Sequence, residues 1–277
     1  EYPSAAKLLA SVAVQEMLHL EIACNHCNAL GYQPQFNVPV YDEQKGIPFL
    51  KSAALPADIC DYKVMPGALN ENSIKLFCAI EIPEHTQHRT WIDDNTYDSI
   101  AHLYEAIYIA INLNWKKLFV GTSSNQIQKS STGYQHSEHA GVSQQVNSLE
   151  EAHAAIEAII EQGEGANASF VKPDFRPATS TTDFDLGAYE GALSHYQKFR
   201  ILLHHKDRLQ WCYEEIENAD AAEQQAALQK TFTAFRNSLQ QSFSSNTNVM
   251  DKTFWPLMFE LKEKIIAVWK AGACPKW

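Results

Sequence analysis

The segment SVAVQEMLHLEIACNHCNALG, residues 11–31, places a carboxylate and an imidazole three positions apart among apolar and small residues. If this segment is a helix, Glu16 and His19 are neighbours on one face, with β-carbons roughly 5–6 Å apart. A buried carboxylate without a partner is costly, and a metal cation bound by both side chains would remove that cost. The pair therefore predicts a metal site, although a single Glu-x-x-His motif also arises by chance in many helices.

Other apolar segments carry isolated acids and histidines in the same way. SIAHLYEAIYIAINL contains His102 and Glu105, and AHAAIEAIIEQ contains Glu157 and Glu161. His195 shares a helical stripe with two large apolar residues. Acids on several helices of a bundle are tolerated if they share a cation. The alternatives are that His102 lies on a polar face and that Glu157 is solvated.

The elements that must position these residues are helical. The spacing of apolar residues predicts an all-α protein, and the first helix is apolar on most sides, as a central helix would be. Proline-rich residues 32–70 and Ser/Gln-rich residues 121–148 predict long loops. We find no internal repeat and no domain-scale linker, so the sequence predicts a single domain over residues 1–277. Helices are predicted over residues 4–30, 71–81, 96–113 (with N-cap candidates in 93–96), 149–162, 187–212, 218–243 and 256–271.

Composition argues against several classes of function. The net charge is −11 and no basic stripe is present, which disfavours a nucleic-acid binder. No apolar run reaches the ~18 residues that a membrane span needs. Six cysteines are too few for a disulfide scaffold of this length, so we expect reduced thiols in a cytoplasmic protein. Cys24-x-x-Cys27 lacks the second pair that a structural zinc site normally has, which favours buried thiols.

Several of these segments resemble one protein family. The segment around EMLHL is similar to the second helix of the ferritin-like domain in iminophenylpyruvate dimer synthases, the enzymes of violacein and rebeccamycin biosynthesis, and in their stand-alone relatives. The resemblance spans nearly the whole chain in the same order, and EMLHL and EQGEG…SHY are its most distinctive pieces. It implies a ferritin-like helical bundle with a di-metal carboxylate site. The other similar segments are FCAIEIPE (77–84), SIAHLYEAI (99–107), AIEAIIEQGEGA (155–166), SHYQKFRIL (194–202), FTAFRNSLQQSF (232–243) and PLMFELKEKI (256–265).

The resemblance also implies a set of metal ligands. Glu16 and His19 match the second-helix motif, and Glu105 would be the carboxylate of the third helix. Glu161 and His195 would complete the far half of the site. Two iron ions are the implied cofactor, with manganese as the alternative.

Two departures from the family pattern bear on this set. The residue three before His195 is Ala192, which cannot bind a metal, so the carboxylate must come from Glu161 or from its rival Glu164. The first helix of such a bundle, with its own glutamate, would precede residue 4. The pattern therefore predicts either a chain that begins inside the bundle or a protein that lacks a complete site.

The resemblance implies an oxidoreductase of secondary metabolism that uses O2 or peroxide to oxidise a small organic substrate. The loops at 32–70 and 121–148 would cover the mouth of its pocket. The alternative is a non-catalytic ferritin-like scaffold or binding protein with a vestigial metal site. Either protein is compatible with a homo-oligomer, and neither requires a nucleic-acid or membrane partner.

Overall fold

Seven α-helices form most of the regular structure in the part of the chain that the computed structural model describes. The described residues are 3–37, 55–64, 69–83, 97, 99–121, 125–127, 145–163, 193–208, 219–245 and 250–276. The all-α class that the sequence predicts is confirmed. The helices are α1 (Pro3–Ala29), α2 (Glu71–Ile80), α3 (Ile100–Leu118), α4 (Leu149–Gly163), α5 (His195–His204), α6 (Ala219–Ser244) and α7 (Trp255–Lys270), with a 3-10 turn at Lys206–Arg208 and a π-helical turn at Met250–Phe254.

α1 is the central helix, because it contributes to three separate apolar clusters. Leu8 and Val12 on its N-terminal half pack with residues of α2 and α5. Leu18 and Ile22 pack with residues of α3 and α4. Cys24 packs with residues of α6 and the π-helical turn. The middle of α1 therefore lies where the first two clusters meet, and the polar residues of this stretch are held between them.

α5 is shorter than the sequence predicts, because its N-terminus is fixed by a capping box. The Ser194 hydroxyl accepts a hydrogen bond from the Gln197 N–H, and the Gln197 side chain accepts one from the Ser194 N–H. The prediction of helix over 187–212 is wrong at 193–194 and after His204, where the chain turns into the 3-10 segment. Residues 187–192 and 209–212 lie outside the described residues. The cap makes His195 the first residue of α5.

The other predicted helices agree with the structure to within one or two residues, apart from α3. That helix begins at Ile100, after the Ser99 hydroxyl caps the His102 N–H, and it ends at Leu118. The predicted start at 96 and end at 113 are therefore both too early. Pro256 lies in the first turn of α7, as predicted, where its missing N–H costs no hydrogen bond.

The described parts of the two predicted loops contain no helix. Within 121–148, the Gln126 amide donates to the Val146 carbonyl and accepts from its N–H, which joins the two ends of that segment. None of the described helices combines the length and the apolarity that crossing a bilayer requires. Among the described residues, five cysteines are free thiols, and burial raises the pKa of the Cys78 thiol to about 12.

Candidate metal centre

Three helices, α1, α2 and α5, bring titratable side chains together beside the middle of α1. Glu16 and His19 lie one turn apart on α1, and His195 is the first residue of α5. Glu81 follows the last residue of α2, where its backbone N–H bonds to the Phe77 carbonyl and closes the helix. The capping of α2 and α5 therefore decides which residues face α1.

The Glu16 carboxylate lies between two imidazoles. Its Oε1 is 2.9 Å from Nδ1 of His195, and its Oε2 is 3.7 Å from Nδ1 of His19. One ligand atom from each of these three residues lies within 4.8 Å of the other two. A carboxyl oxygen of Glu81 lies 3.7 Å from the same Nδ1 of His195. Two imidazole nitrogens and the Glu16 carboxylate thus converge, and the Glu81 carboxylate lies beside the His195 ring.

Nδ1 of His195 has no hydrogen bond, although the His195 side chain is fully buried. The Glu16 oxygen is near enough, at 2.9 Å, but it does not lie in line with an N–H on this ring. A buried polar atom without a partner is uncommon and calls for an explanation. A metal ion among Glu16, His19 and His195 would be the missing partner.

The far nitrogen of each imidazole contacts a glutamine side chain. Nε2 of His195 is 3.1 Å from the Gln15 amide oxygen, which also accepts a hydrogen bond of 2.6 Å from the Lys198 ammonium. Nε2 of His19 is 2.9 Å from the Gln162 amide oxygen at the end of α4. Metal-binding histidines usually have such a partner on the other ring nitrogen, because it fixes the ring orientation.

The charged groups in this cluster shift one another's pKa values. Burial alone would raise the pKa of the Glu16 carboxyl, but the contacts with His19 and His195 together outweigh burial and hold that pKa well below its ordinary value. Burial raises the pKa of Glu81. Burial opposes the charged form of His195, yet the two carboxylates beside it outweigh burial and raise its pKa. The cluster therefore attracts positive charge, either as a proton or as a metal.

The cluster has a buried side and an open side. The Glu16 side chain is 47% exposed, whereas the Glu81 side chain is 11% exposed and that of His195 is inaccessible. On the buried side, a β-carbon added to Gly163 would lie 2.9 Å from Oε2 of Glu81, so the absence of a side chain at 163 makes room for this carboxylate. Glu16 is therefore the solvent-facing edge of the cluster.

The structure brings together three of the five predicted ligands: Glu16, His19 and His195. Glu105 is half-buried on α3 and is not in this group. Glu161 is exposed on α4, and the adjacent Gln162 contacts His19 instead. The ligand roles of these two glutamates stay predictions. Glu164, the rival of Glu161, lies outside the described residues.

The residue that the sequence analysis missed is Glu81. Its signal is weak, because Pro83 argues against a helix that would make Glu81 a neighbour of Glu84 or His85. The sequence analysis also missed three polar residues near predicted ligands. These are Gln15 beside Glu16, Gln162 beside Glu161 and Lys198 one turn after His195.

Comparison with known proteins agrees with this architecture. A family model described as Ferritin-like matches residues 1–204. The chain belongs to the ferritin-like family. A similar solved structure is a ferritin-like protein from Caulobacter vibrioides, determined at 1.95 Å resolution, with a TM-score of 0.72 and 20% sequence identity. The match covers 99% of this chain and 86% of that one. At this identity the likeness shows the fold alone, and it confirms the predicted ferritin-like bundle. No curated protein matches the sequence.

Proposed function

We propose that this ferritin-like protein is a non-haem iron oxidoreductase whose metal is held by Glu16, His19, His195 and Glu81. The observation that carries the proposal is the convergence of the first three residues, with one ligand atom from each within 4.8 Å of the others. The unpartnered Nδ1 of His195 and the space that Gly163 leaves for Glu81 support it.

The donor set favours iron, with manganese as the runner-up. Imidazole and carboxylate donors suit iron, and two histidines with one carboxylate are the ligands of many non-haem iron oxygenases. Adjacent ligands of an octahedral ion with bonds of about 2.1 Å lie roughly 3 Å apart. The Glu16 to His195 separation of 2.9 Å has this value. The 3.7 Å separations at His19 and Glu81 need only small side-chain movements.

The number of ions follows from the number of donors. Glu16, His19, His195 and Glu81 suffice for one ion. The two-ion cofactor implied by the resemblance needs further carboxylates, and Glu105 is the proposed contributor. A metal content of one or two ions per chain separates these versions.

The protein's own residues would orient the metal and leave one side free. His195 is held inside the bundle between Gln15 and the two carboxylates. The exposed Glu16 side gives O2, peroxide and a small organic molecule a route to the centre. Bound iron supplies electrons for the reduction of oxygen. Oxidation of a small molecule in secondary metabolism rests on the resemblance of EMLHL and EQGEG…SHY to iminophenylpyruvate dimer synthases.

A non-catalytic scaffold is the second candidate function. The exposed position of Glu161 and the alanine at position 192 favour it, since both weaken the half of the site that contains His195. Under this alternative the cluster is a remnant, and removing its charges should leave binding of the physiological partner unchanged.

Iron content and reaction with oxygen distinguish the two functions. We expect protein from iron-rich medium to contain at least one iron per chain, and Fe(II) added without oxygen to give an optical change when O2 is admitted. Glu16→Gln should abolish both, whereas Glu157→Gln, at an exposed glutamate of α4 that is not a predicted ligand, is the matched control and should change neither. Protein that contains no iron and takes up none on reconstitution would contradict the proposed function.

A further inference from the structure

Resting on the proposed function, we infer that Lys198 and Gln15 are positioning residues that make His195 bind the metal through Nδ1. Lys198 does not contact the proposed metal volume. Its ammonium hydrogen-bonds the Gln15 side chain, which in turn contacts the far side of the His195 ring. The inference concerns the hydrogen-bonded series Lys198–Gln15–His195. It assigns to Lys198 the role of selecting which ring nitrogen of His195 binds the metal.

Lysine decides the orientation of the glutamine amide. A protonated lysine only donates hydrogen bonds, so the Gln15 atom 2.6 Å from Nζ of Lys198 must be the oxygen. The same oxygen lies 3.1 Å from Nε2 of His195. Because an amide oxygen only accepts, Nε2 of His195 must carry a proton that it donates to Gln15. In a neutral imidazole the other nitrogen, Nδ1, then has a free lone pair.

Glu16 and Glu81 lie beside the nitrogen that carries this lone pair. Their carboxylate oxygens lie 2.9 Å and 3.7 Å from Nδ1. A lone pair and two anionic groups repel one another unless a cation lies among them. Lys198 therefore acts through Gln15: it stabilises the His195 tautomer protonated on Nε2, whose unprotonated Nδ1 can bind a cation beside Glu16.

The burial of Lys198 supports a specific role. Its side chain is 4% exposed and Gln15 is 8% exposed. Burial lowers the pKa of Lys198 to about 8, although the charge of Glu81 opposes this shift. No described carboxylate forms an ion pair with the Lys198 ammonium, and burying an unpaired charge is costly. The Lys198 ammonium donates a hydrogen bond to Gln15, but a neutral amide oxygen offsets only part of the cost of burying the charge. A methionine of similar length would fill the same space more favourably.

His19 provides an internal contrast. Its Nε2 contacts the amide oxygen of Gln162 at 2.9 Å, yet no lysine among the described residues contacts Gln162. The amide of Gln162 can therefore turn without losing a charged partner, and the tautomer of His19 is less firmly fixed than that of His195. Removing Lys198 should affect only one of the two histidines.

The test uses Zn(II), a diamagnetic probe, with full-length protein labelled with 15N in histidine. In the wild type we expect the NMR spectrum of the zinc-loaded protein to show His195 protonated on Nε2 and bound through Nδ1, assigned by loss of its signals in His195→Gln. Lys198→Met should lower the zinc affinity about 10- to 100-fold, the usual effect of losing a partner behind a metal-binding histidine. It should also populate the other His195 tautomer and leave the signals of His19 in place.

Two further variants separate positioning from folding. Lys198→Arg keeps a donor-only cation and should restore the affinity to within about threefold of the wild type. Gln15→Met should lower the affinity as Lys198→Met does. Gln126→Met is the matched control, because Gln126 is also a buried glutamine but pairs with the backbone of Val146.

Each outcome decides between the inference and the proposed function. Wild-type zinc affinity and an unchanged His195 tautomer in Lys198→Met would overturn the inference and leave the metal site standing. Zinc bound through Nε2 of His195 in the wild type would also overturn it, as would an equal loss of affinity in Gln126→Met. A wild-type protein that binds neither zinc nor iron would overturn the proposed function and the inference with it.

Discussion

α1 carries two groups of buried polar residues, and they are partnered in opposite ways. Near its C-terminal end, Asn25, His26 and Asn28 pair with backbone groups, all of them in other segments except the Ile22 carbonyl beside His26. The Asn25 amide donates to the Ile127 carbonyl at 2.7 Å and accepts from its N–H at 2.9 Å. About two turns of helix beyond His19, this group joins the helix to its surroundings.

In the middle of α1, the polar residues instead face other side chains. Glu16 and His19 meet His195 and Glu81, and the closest atoms are a carboxylate oxygen and a ring nitrogen that has no hydrogen bond. His26 shows the difference, because both of its ring nitrogens contact backbone carbonyls, at 3.1 Å and 2.9 Å. The carbonyls around His26 tie that histidine to the fold, whereas the carboxylates beside His195 attract positive charge, as a proton or as a metal.

The largest expected difference between the two groups is in metal affinity. His195→Gln should lower iron or zinc affinity by more than about 100-fold, since losing a ligand costs more than losing a partner behind a ligand. His26→Gln should leave metal affinity unchanged and reduce the free energy of unfolding by about 1–3 kcal/mol. Metal titration and denaturant unfolding of both variants measure this. Equal metal affinities of His195→Gln and His26→Gln would contradict the proposal that only His195 is a metal ligand.

The second largest effect is on stability. Asn25→Ala should reduce the free energy of unfolding by about 2–4 kcal/mol, because the buried N–H and carbonyl of Ile127 both lose their partner. Asn72→Ala is the matched control, since Asn72 makes the same paired contact with the backbone of Lys63 at the surface. We expect it to cost less than about 1 kcal/mol. Loss of metal binding in Asn25→Ala with unchanged stability would reverse the assignment of the two groups.

In metal-free protein the pKa values of His195 and His26 should be shifted in opposite directions. The carboxylates raise the pKa of His195 above its ordinary value, so its stabilising contribution is full below pH 6.5 and is lost as the pH rises through the raised pKa. Burial lowers the pKa of His26, so its contribution is present above pH 6.5 and is lost as the pH falls through the lowered pKa. NMR titration of labelled histidines measures both, and a His26 that titrates above His195 would contradict the comparison.

The smallest expected effect tests the buried side of the metal centre. Gly163→Ala should displace the Glu81 carboxylate, whose Oε2 would lie 2.9 Å from the new β-carbon, and should lower metal affinity about threefold with little change in stability. In a Glu81→Ala background the same substitution should have no further effect on affinity. An undiminished effect there would show that Gly163 acts through another residue.

The sequence predicted the central helix and the proximity of Glu16 and His19, because both follow from spacing. α1 is apolar on most sides, and Glu16 and His19 lie three positions apart, so helical geometry alone makes them neighbours. The approach of His195 depends on where α5 starts. The resemblance supplied that residue as a ligand, but the capping box that places it was not used.

The ligand role of Glu161 was taken from the family resemblance and stays a prediction, but the helical period says on which side of α4 this residue lies. The buried face of α4 contains Ala152, Ala155, Ile156 and Ile159, and the 3.6-residue period turns position 161 to the opposite side. In a helix made largely of alanine and isoleucine, the buried face is not marked by contrast between polar and apolar residues. Glu81 was missed for a different reason, since it leaves the end of α2 and reaches the site only through tertiary packing.

The most direct test of the metal centre is anomalous X-ray diffraction at the iron edge from crystals of iron-loaded protein. We predict a peak within about 2.1 Å of a Glu16 oxygen and of Nδ1 of His19 and His195. Loaded crystals with no anomalous peak among these three side chains, or with iron bound only elsewhere on the protein, would contradict the central claim.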